Sequence, residues 1–239
     1  GHFEEGRRWA KAVLAANHTH SRERAAALFT GSRLAFTVDD YTAAFAMIQE
    51  SLAIYRQLSD HEGIAAVLHD AGWIAYQMGH YAEAHQIFDE NVTACRQLGD
   101  QQELARALNS AAMSYVLDGV AEQYALARSY FEENLQIAQS LDWQEGAAYA
   151  WQGLATLEQK LENYTQAITH LEQALTIFRT LGFGRNEALS LYNISQAARL
   201  DQKWQKAEAA AQAALRLYQQ LQVPWGIMVA LLELGMKAR

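Results

Sequence analysis

HEGIAAVLHDAGWIAYQMGHYAEAHQIFDENVTACRQLGD, residues 61–100, is the stretch that decides the fold. Ile64, Leu68, Ala71, Gly72 and Ala75 recur at helical spacing, and so do Ala84, Phe88, Val92, Cys95 and Leu98. The two apolar stripes are separated by a short glycine-containing turn around Gly79. The spacing predicts two amphipathic helices, an A helix before Tyr81 and a B helix from Tyr81 to Leu98.

The same block recurs along the chain. Tyr41, Tyr81, Tyr124, Tyr164 and Trp204 are separated by 40, 43, 40 and 40 residues. Each is followed three positions later by alanine (Ala44, Ala84, Ala127, Ala167, Ala207) and seventeen later by leucine (Leu58, Leu98, Leu141, Leu181, Leu221). Nine positions before the aromatic stands a small residue: Ser32, Gly72, Ala155 and Ser195, with Ala112 in that role once a three-residue insertion between Leu117 and Gln123 is allowed for. Small residues at one fixed place let paired helices approach closely. The aromatic is expected to open helix B and wedge between the pair, and the insertion to fall in the A-to-B turn. A period near 40 residues means stacked supersecondary units. The expected fold is all-α, an α-solenoid of antiparallel helix pairs.

The register divides residues 1–239 into a half unit at 1–20, units at 21–60, 61–100, 101–143, 144–183 and 184–223, and a half unit at 224–239. Gly1-His2-Phe3 matches Gly79-His80-Tyr81, and Gly226 and Gly235 continue the A-helix register. Both ends are therefore expected to cut a repeat, as in a slice of a longer array. Asp100-Gln-Gln-Glu103 and Asp142-Trp-Gln-Glu145 read as capping boxes, and Pro224 suits the first turn of a helix.

Composition narrows the function. One proline in 239 residues, with 51% hydrophobic and 19% charged side chains, suits a folded helical chain. No run of about 18 apolar residues is present to span a bilayer, and the N-terminus lacks the order of a signal peptide. The net charge of −8 disfavours direct nucleic-acid binding by this segment. The first 33 residues are locally basic, which a solvated face explains. Cys95 is the sole cysteine and lies on an apolar stripe, so it reads as core, and a reducing cytoplasm is the expected location. Leu181-Gly-Phe-Gly-Arg-Asn186 lacks the lysine and hydroxyl of a phosphate loop and reads as an inter-repeat turn. The eight histidines show no metal-ligand spacing. No cofactor, metal or catalytic constellation is expected, and the chain is read as non-enzymatic.

The small residue, the aromatic nine later and the alanine three after that resemble the tetratricopeptide repeat, in a variety with longer helices than usual. The resemblance covers essentially the whole chain and implies a right-handed superhelix whose A helices line a concave inner face. Residues placed there are Phe29, Arg33 and Phe36; His69, Trp73, Tyr76 and Gln77; Arg106, Asn109 and Met113; Tyr149, Gln152 and Thr156; and Tyr192, Gln196 and Arg199. Aromatic, amide and arginine groups of this kind serve as interface anchors, although some of these aromatics are equally suited to packing between A helices. The Lys, Asn and Arg set of a peptide-carboxylate clamp is not evident.

Gly1-His-Phe-Glu-Glu-Gly-Arg-Arg-Trp9 is similar to a stretch in multidomain bacterial signal-transduction ATPases and maltose-regulator-type transcription regulators. The similarity implies a repeat region for protein interaction or scaffolding inside a larger signalling or transcription-regulatory protein. The alternative is a domain sensing a small-molecule effector. The expected partner is a protein or peptide, with self-association allowed, and neither nucleic acid nor membrane.

Overall fold

The computed structural model describes residues 21–235, and every regular element among them is helical. The A helices are α1 (Arg22–Phe36), α3 (His61–Gln77), α5 (Gln101–Asp118), α7 (Gln144–Lys160), α9 (Gly184–Leu200) and α11 (Pro224–Gly235). The B helices are α2 (Tyr41–Gln57), α4 (Tyr81–Leu98), α6 (Tyr124–Ser140), α8 (Tyr164–Leu181) and α10 (Trp204–Gln220). All five ladder aromatics are first residues of B helices. The half unit expected at 1–20 lies outside the described residues.

The chain forms two compact units, 1–114 and 115–239, which meet within α5. In the first, α1 packs on α2, α2 on α3 and α3 on α4. In the second, successive helices from α6 to α11 pack in order. Each unit is thus a run of consecutively packed helix pairs.

One turn, used repeatedly, sets the period. The residue at 39, 59, 79, 99, 119, 142, 162, 182, 202 and 222 has positive φ, so each helix from α1 to α10 is followed by a left-handed residue at a 20-residue interval, lengthened once by three. At Ser59 the amide bonds back to the Arg56 carbonyl, and the Asp60 amide to that of Tyr55, at 3.1 and 3.0 Å. This 5→2 and 6→1 pair terminates a helix while the next begins. The three extra residues of the third unit form a short 3-10 turn, Ala121–Gln123, before Tyr124. Six of the left-handed positions carry a side chain, which costs roughly 1–2 kcal/mol each relative to right-handed backbone. Replacing Ser59, Glu162 and Gln202 together by glycine is expected to raise the urea midpoint. An unchanged or lowered midpoint would contradict this account of the turn.

Caps follow the same register. Asp40 accepts the amide of Ala43, and Asp60 that of Gly63. Asp100 accepts those of Gln102 and Glu103, as expected. The expected cap at Asp142 is corrected: Asp142 takes the left-handed place, with φ 51°, and Trp143 is the N-cap, its side chain not capping the helix. The 20-residue rhythm counts from the aromatic ladder and overrides the local Asp-x-x-Glu signal.

The wedge is corrected as well. Tyr81 and Trp204 are 43% and 50% exposed. A side chain at the start of a helix points back over the preceding turn. Accordingly the Tyr41 ring meets Phe36 at 5.5 Å and the Tyr81 ring meets Tyr76 at 5.0 Å. The buried position is instead the one seven residues after the aromatic: Ile48, Phe88, Phe131 and Leu171 are all buried. Its size is matched to its surroundings. Gly72 lies under Phe88, and a Cβ there would sit 2.5 Å from the ring. On the following A helix, Gly153 makes room for Phe131, where a Cβ would sit 2.1 Å from the ring. Ala155, in the register of Gly72, shares its core cluster with the smaller Leu171.

Buried polar groups also repeat. Ser51 Oγ donates to the Ala25 carbonyl at 2.8 Å, and Asn91 Nδ2 to that of Ala65 at 2.7 Å, in equivalent places of two units. Cys95 is buried, and burial, then the charges of Glu103 and Asp100, push its thiol up to about 11, so it is inert core. No helix among the described residues is long and apolar enough to cross a membrane.

Candidate functional site

In the first compact unit, α1 and α3 lie side by side and leave a half-open cavity of about 440 Å³ between them. Phe36, Trp73 and Ile74 form its apolar lining; Thr37 and Gln77 stand with them, and Arg33 and Asp70 supply charge. The volume falls within the usual range for ligand pockets, about 300–1,000 Å³. Each wall is held from behind. Trp73 packs edge-on against the buried Phe88 ring at 5.2 Å and against Tyr76 at 5.8 Å. Phe36 rests on Tyr41. Four of the residues expected on the A-helix stripe, Arg33, Phe36, Trp73 and Gln77, therefore converge, while Tyr76 supports Trp73.

Asp70 was not singled out by the repeat register, yet it organises the polar end. Its Oδ2 is 3.4 Å from Arg33 Nε, and its Oδ1 is 3.0 Å from His69 Nδ1. His69 Nε2 in turn lies 3.1 Å from Ser110 Oγ. The result is a polar ladder across α1, α3 and α5. The signal was present in sequence as an acid on the stripe following Arg33. It was hidden because the two residues are 37 apart rather than one full period.

Ser110, His69 and Asp70 have the hydrogen-bond order of a nucleophile, base and orienting acid. Their setting does not support acyl transfer. Ser110 sits in mid-helix, where the neighbouring backbone amides serve the helix and cannot line an oxyanion hole. The ladder joins three helices and fixes Asp70 beneath Arg33.

The remaining expected residues are distributed differently. Arg106 pairs with Glu103 on its own helix, and Asn109 is half-buried on α5. In the second compact unit the Tyr149 hydroxyl accepts a bond from Asn186 at 3.4 Å, and its ring packs on the buried Phe178. Gln152 is half-buried, and its carbonyl accepts from Thr156. Gln196 donates to the Tyr192 hydroxyl at 2.8 Å. Burial, then the charge of Glu233, pushes the Tyr192 phenol up. Arg199 is tied to the buried Glu233 at 2.6 Å. Beside that pair is a cavity of about 40 Å³, next to Ser195 and Ala211. Ala211 stands where Phe88 or Leu171 fills the other units, so the space is a packing remainder of roughly water size. These five residues are mostly engaged with one another and with the core, and no pocket of ligand size gathers them.

Among the described residues no group of three or more His, Cys, Asp or Glu side chains is placed to hold a metal ion.

A family model described as the tetratricopeptide repeat matches residues 23–97 and 145–220. No curated protein matches the chain. Solved structures share its fold. A signal-transduction ATPase with numerous domains and a tetratricopeptide-repeat sensor, from Pyrococcus horikoshii, superposes with a TM-score of 0.80 at 17% identity, over 99% of this chain and 37% of that one. A Rap protein complexed with competence and sporulation factor gives 0.77 at 12% identity, over 91% and 60%. BtubC (BKLC) from P. vanneervenii gives 0.74 at 17% identity, over 92% and 90%. The chain thus spans little more than a third of the ATPase. At these identities the likeness is one of fold.

Proposed function

Because this chain belongs to the tetratricopeptide-repeat family, we propose that it is a non-catalytic protein-interaction module whose anchor point is the α1–α3 cavity. The observation that carries the reading is the convergence of Arg33, Phe36 and Trp73 on one half-open space, with their rings braced by core residues. Braced aromatics beside an arginine are the usual composition of an interface hot spot, since little side-chain entropy is lost on binding. Extended segments of a partner protein fit such a site better than a free metabolite does, because the cavity is open on one side and mainly apolar.

The neighbours supply a context for the proposal. The Rap protein was solved with competence and sporulation factor, and the ATPase carries its repeats as a sensor. In the same way, this chain would serve as the repeat region of a bacterial signalling or transcription-regulatory protein, working in the cytoplasm. A partner could bias such a protein only by preferring one of its states.

Panning a random decapeptide display library on the chain tests the reading. The variant Thr37→Trp places a large ring at the cavity mouth from an exposed helix-end position. Peptides enriched on the wild type are expected to lose about tenfold or more in affinity on this variant, the scale of a lost hot-spot contact. Enriched peptides that bind both chains equally would show that the cavity is not the anchor.

A further inference from the structure

Three stripe arginines differ in one respect. Arg199 is spent on the buried Glu233, and Arg106 on Glu103. Arg33 is held through Nε alone, at 3.4 Å from Asp70, with its guanidinium carbon 5.8 Å from the centre of the Phe29 ring. Its side chain is 69% exposed. Among the described residues the two terminal nitrogens of the fork have no partner, and the guanidinium borders the cavity. Asp70 does not compete for an incoming anion's place, since its two oxygens are already turned to Arg33 and His69.

A guanidinium oriented from behind with its outer edge free is a bidentate receptor for a carboxylate. The adjoining Phe36, Trp73 and Ile74 surface accepts a large apolar body. Resting on the peptide-binding reading above, we infer that the partner segment carries an Asp or Glu next to a large apolar side chain. The apolar group enters between Phe36 and Trp73, and the carboxylate bridges the terminal nitrogens of Arg33. The net charge of −8 makes this local selection for an acid contrary to the long-range field, so it must come from the Arg33 contact itself.

The experiment uses the panned decapeptides and the variants Arg33→Gln and Arg33→Lys. Wild-type selections are expected to be rich in apolar–acidic pairs. A representative peptide should weaken about tenfold on Arg33→Gln, and on the wild type when its acid is changed to the amide, the scale of a charge-assisted bond. The amide form should bind wild type and Arg33→Gln alike, and Arg33→Lys should recover only part of the loss. Enriched peptides without an acidic preference would overturn this inference and leave the interaction site standing. No enrichment over the Thr37→Trp variant would remove both. Displacement of the peptide by 4-phenylbutyrate at equal concentration would also overturn it, because the site would then select a free carboxylic acid.

Discussion

Gly72→Ala is expected to destabilise the chain by about 2 kcal/mol, although alanine is the better helix former. The added methyl would stand 2.5 and 2.7 Å from Cε1 and Cζ of Phe88, a ring that is fully buried and cannot swing aside because Trp73 packs on its edge. Phe88→Leu alone should cost about 1 kcal/mol by leaving space above Gly72. The double variant Gly72→Ala/Phe88→Leu recreates the Ala155 and Leu171 combination that the chain already uses two units later. It should therefore be more stable than the two single losses predict by about 1 kcal/mol, a coupling of the size contacting residues show. Urea unfolding of the four proteins measures it. Strict additivity would mean that the two positions do not share one packing space and that the repeat register is misread.

The second large effect is electrostatic. Glu158 has a side chain only 4% exposed, yet it is ionised, with Oε1 2.6 Å from Arg128 Nη1 and Oε2 accepting from Asn163 Nδ2 at 2.8 Å. Burial pushes its carboxyl up. The hydrogen bonds from Arg128 and Asn163, with the charges of Arg128 and His170, outweigh that and leave it below the ordinary value. A lowered folded-state value contributes stability above the unfolded pKa of about 4.3 and loses it as pH falls further. Arg128→Ala removes the cation and leaves a buried carboxylate, at a cost of about 3 kcal/mol at pH 7. In that variant burial dominates, the folded-state value rises above the unfolded one, and protonation favours the fold. The gap between wild type and Arg128→Ala should then narrow from pH 7 to pH 5, and Glu158→Gln should restore most of the loss in the variant. A gap that is constant with pH would point to lost packing of the arginine stem.

Much of this was open to reading from the chain. The aromatic register marked the first residue of each B helix from Tyr41 to Trp204, and the alanine and small-residue registers follow from close helix contacts that admit few side chains. Two local features were misread for one reason. Asp142 resembled a cap, and Tyr81 a wedge, when taken from short-range patterns. The three-residue turn places the left-handed residue at 142, and helix-start geometry sends Tyr81 over its own turn. In the candidate site, Arg33, Phe36, Trp73 and Gln77 were visible because they occupy the stripe opposite the packed small residues. Asp70 and Ser110 were not, because a contact between neighbouring A helices joins residues that are not one period apart. Tyr149, Tyr192 and Arg199 share the stripe but are engaged by Asn186, Gln196 and Glu233, partners that register cannot reveal.

A crystal structure of the chain with a peptide selected on it tests the anchor most directly. The account predicts a large apolar side chain between Phe36 and Trp73, with α1 and α3 otherwise unmoved. A peptide seated elsewhere, with the α1–α3 cavity filled only by solvent, would contradict it.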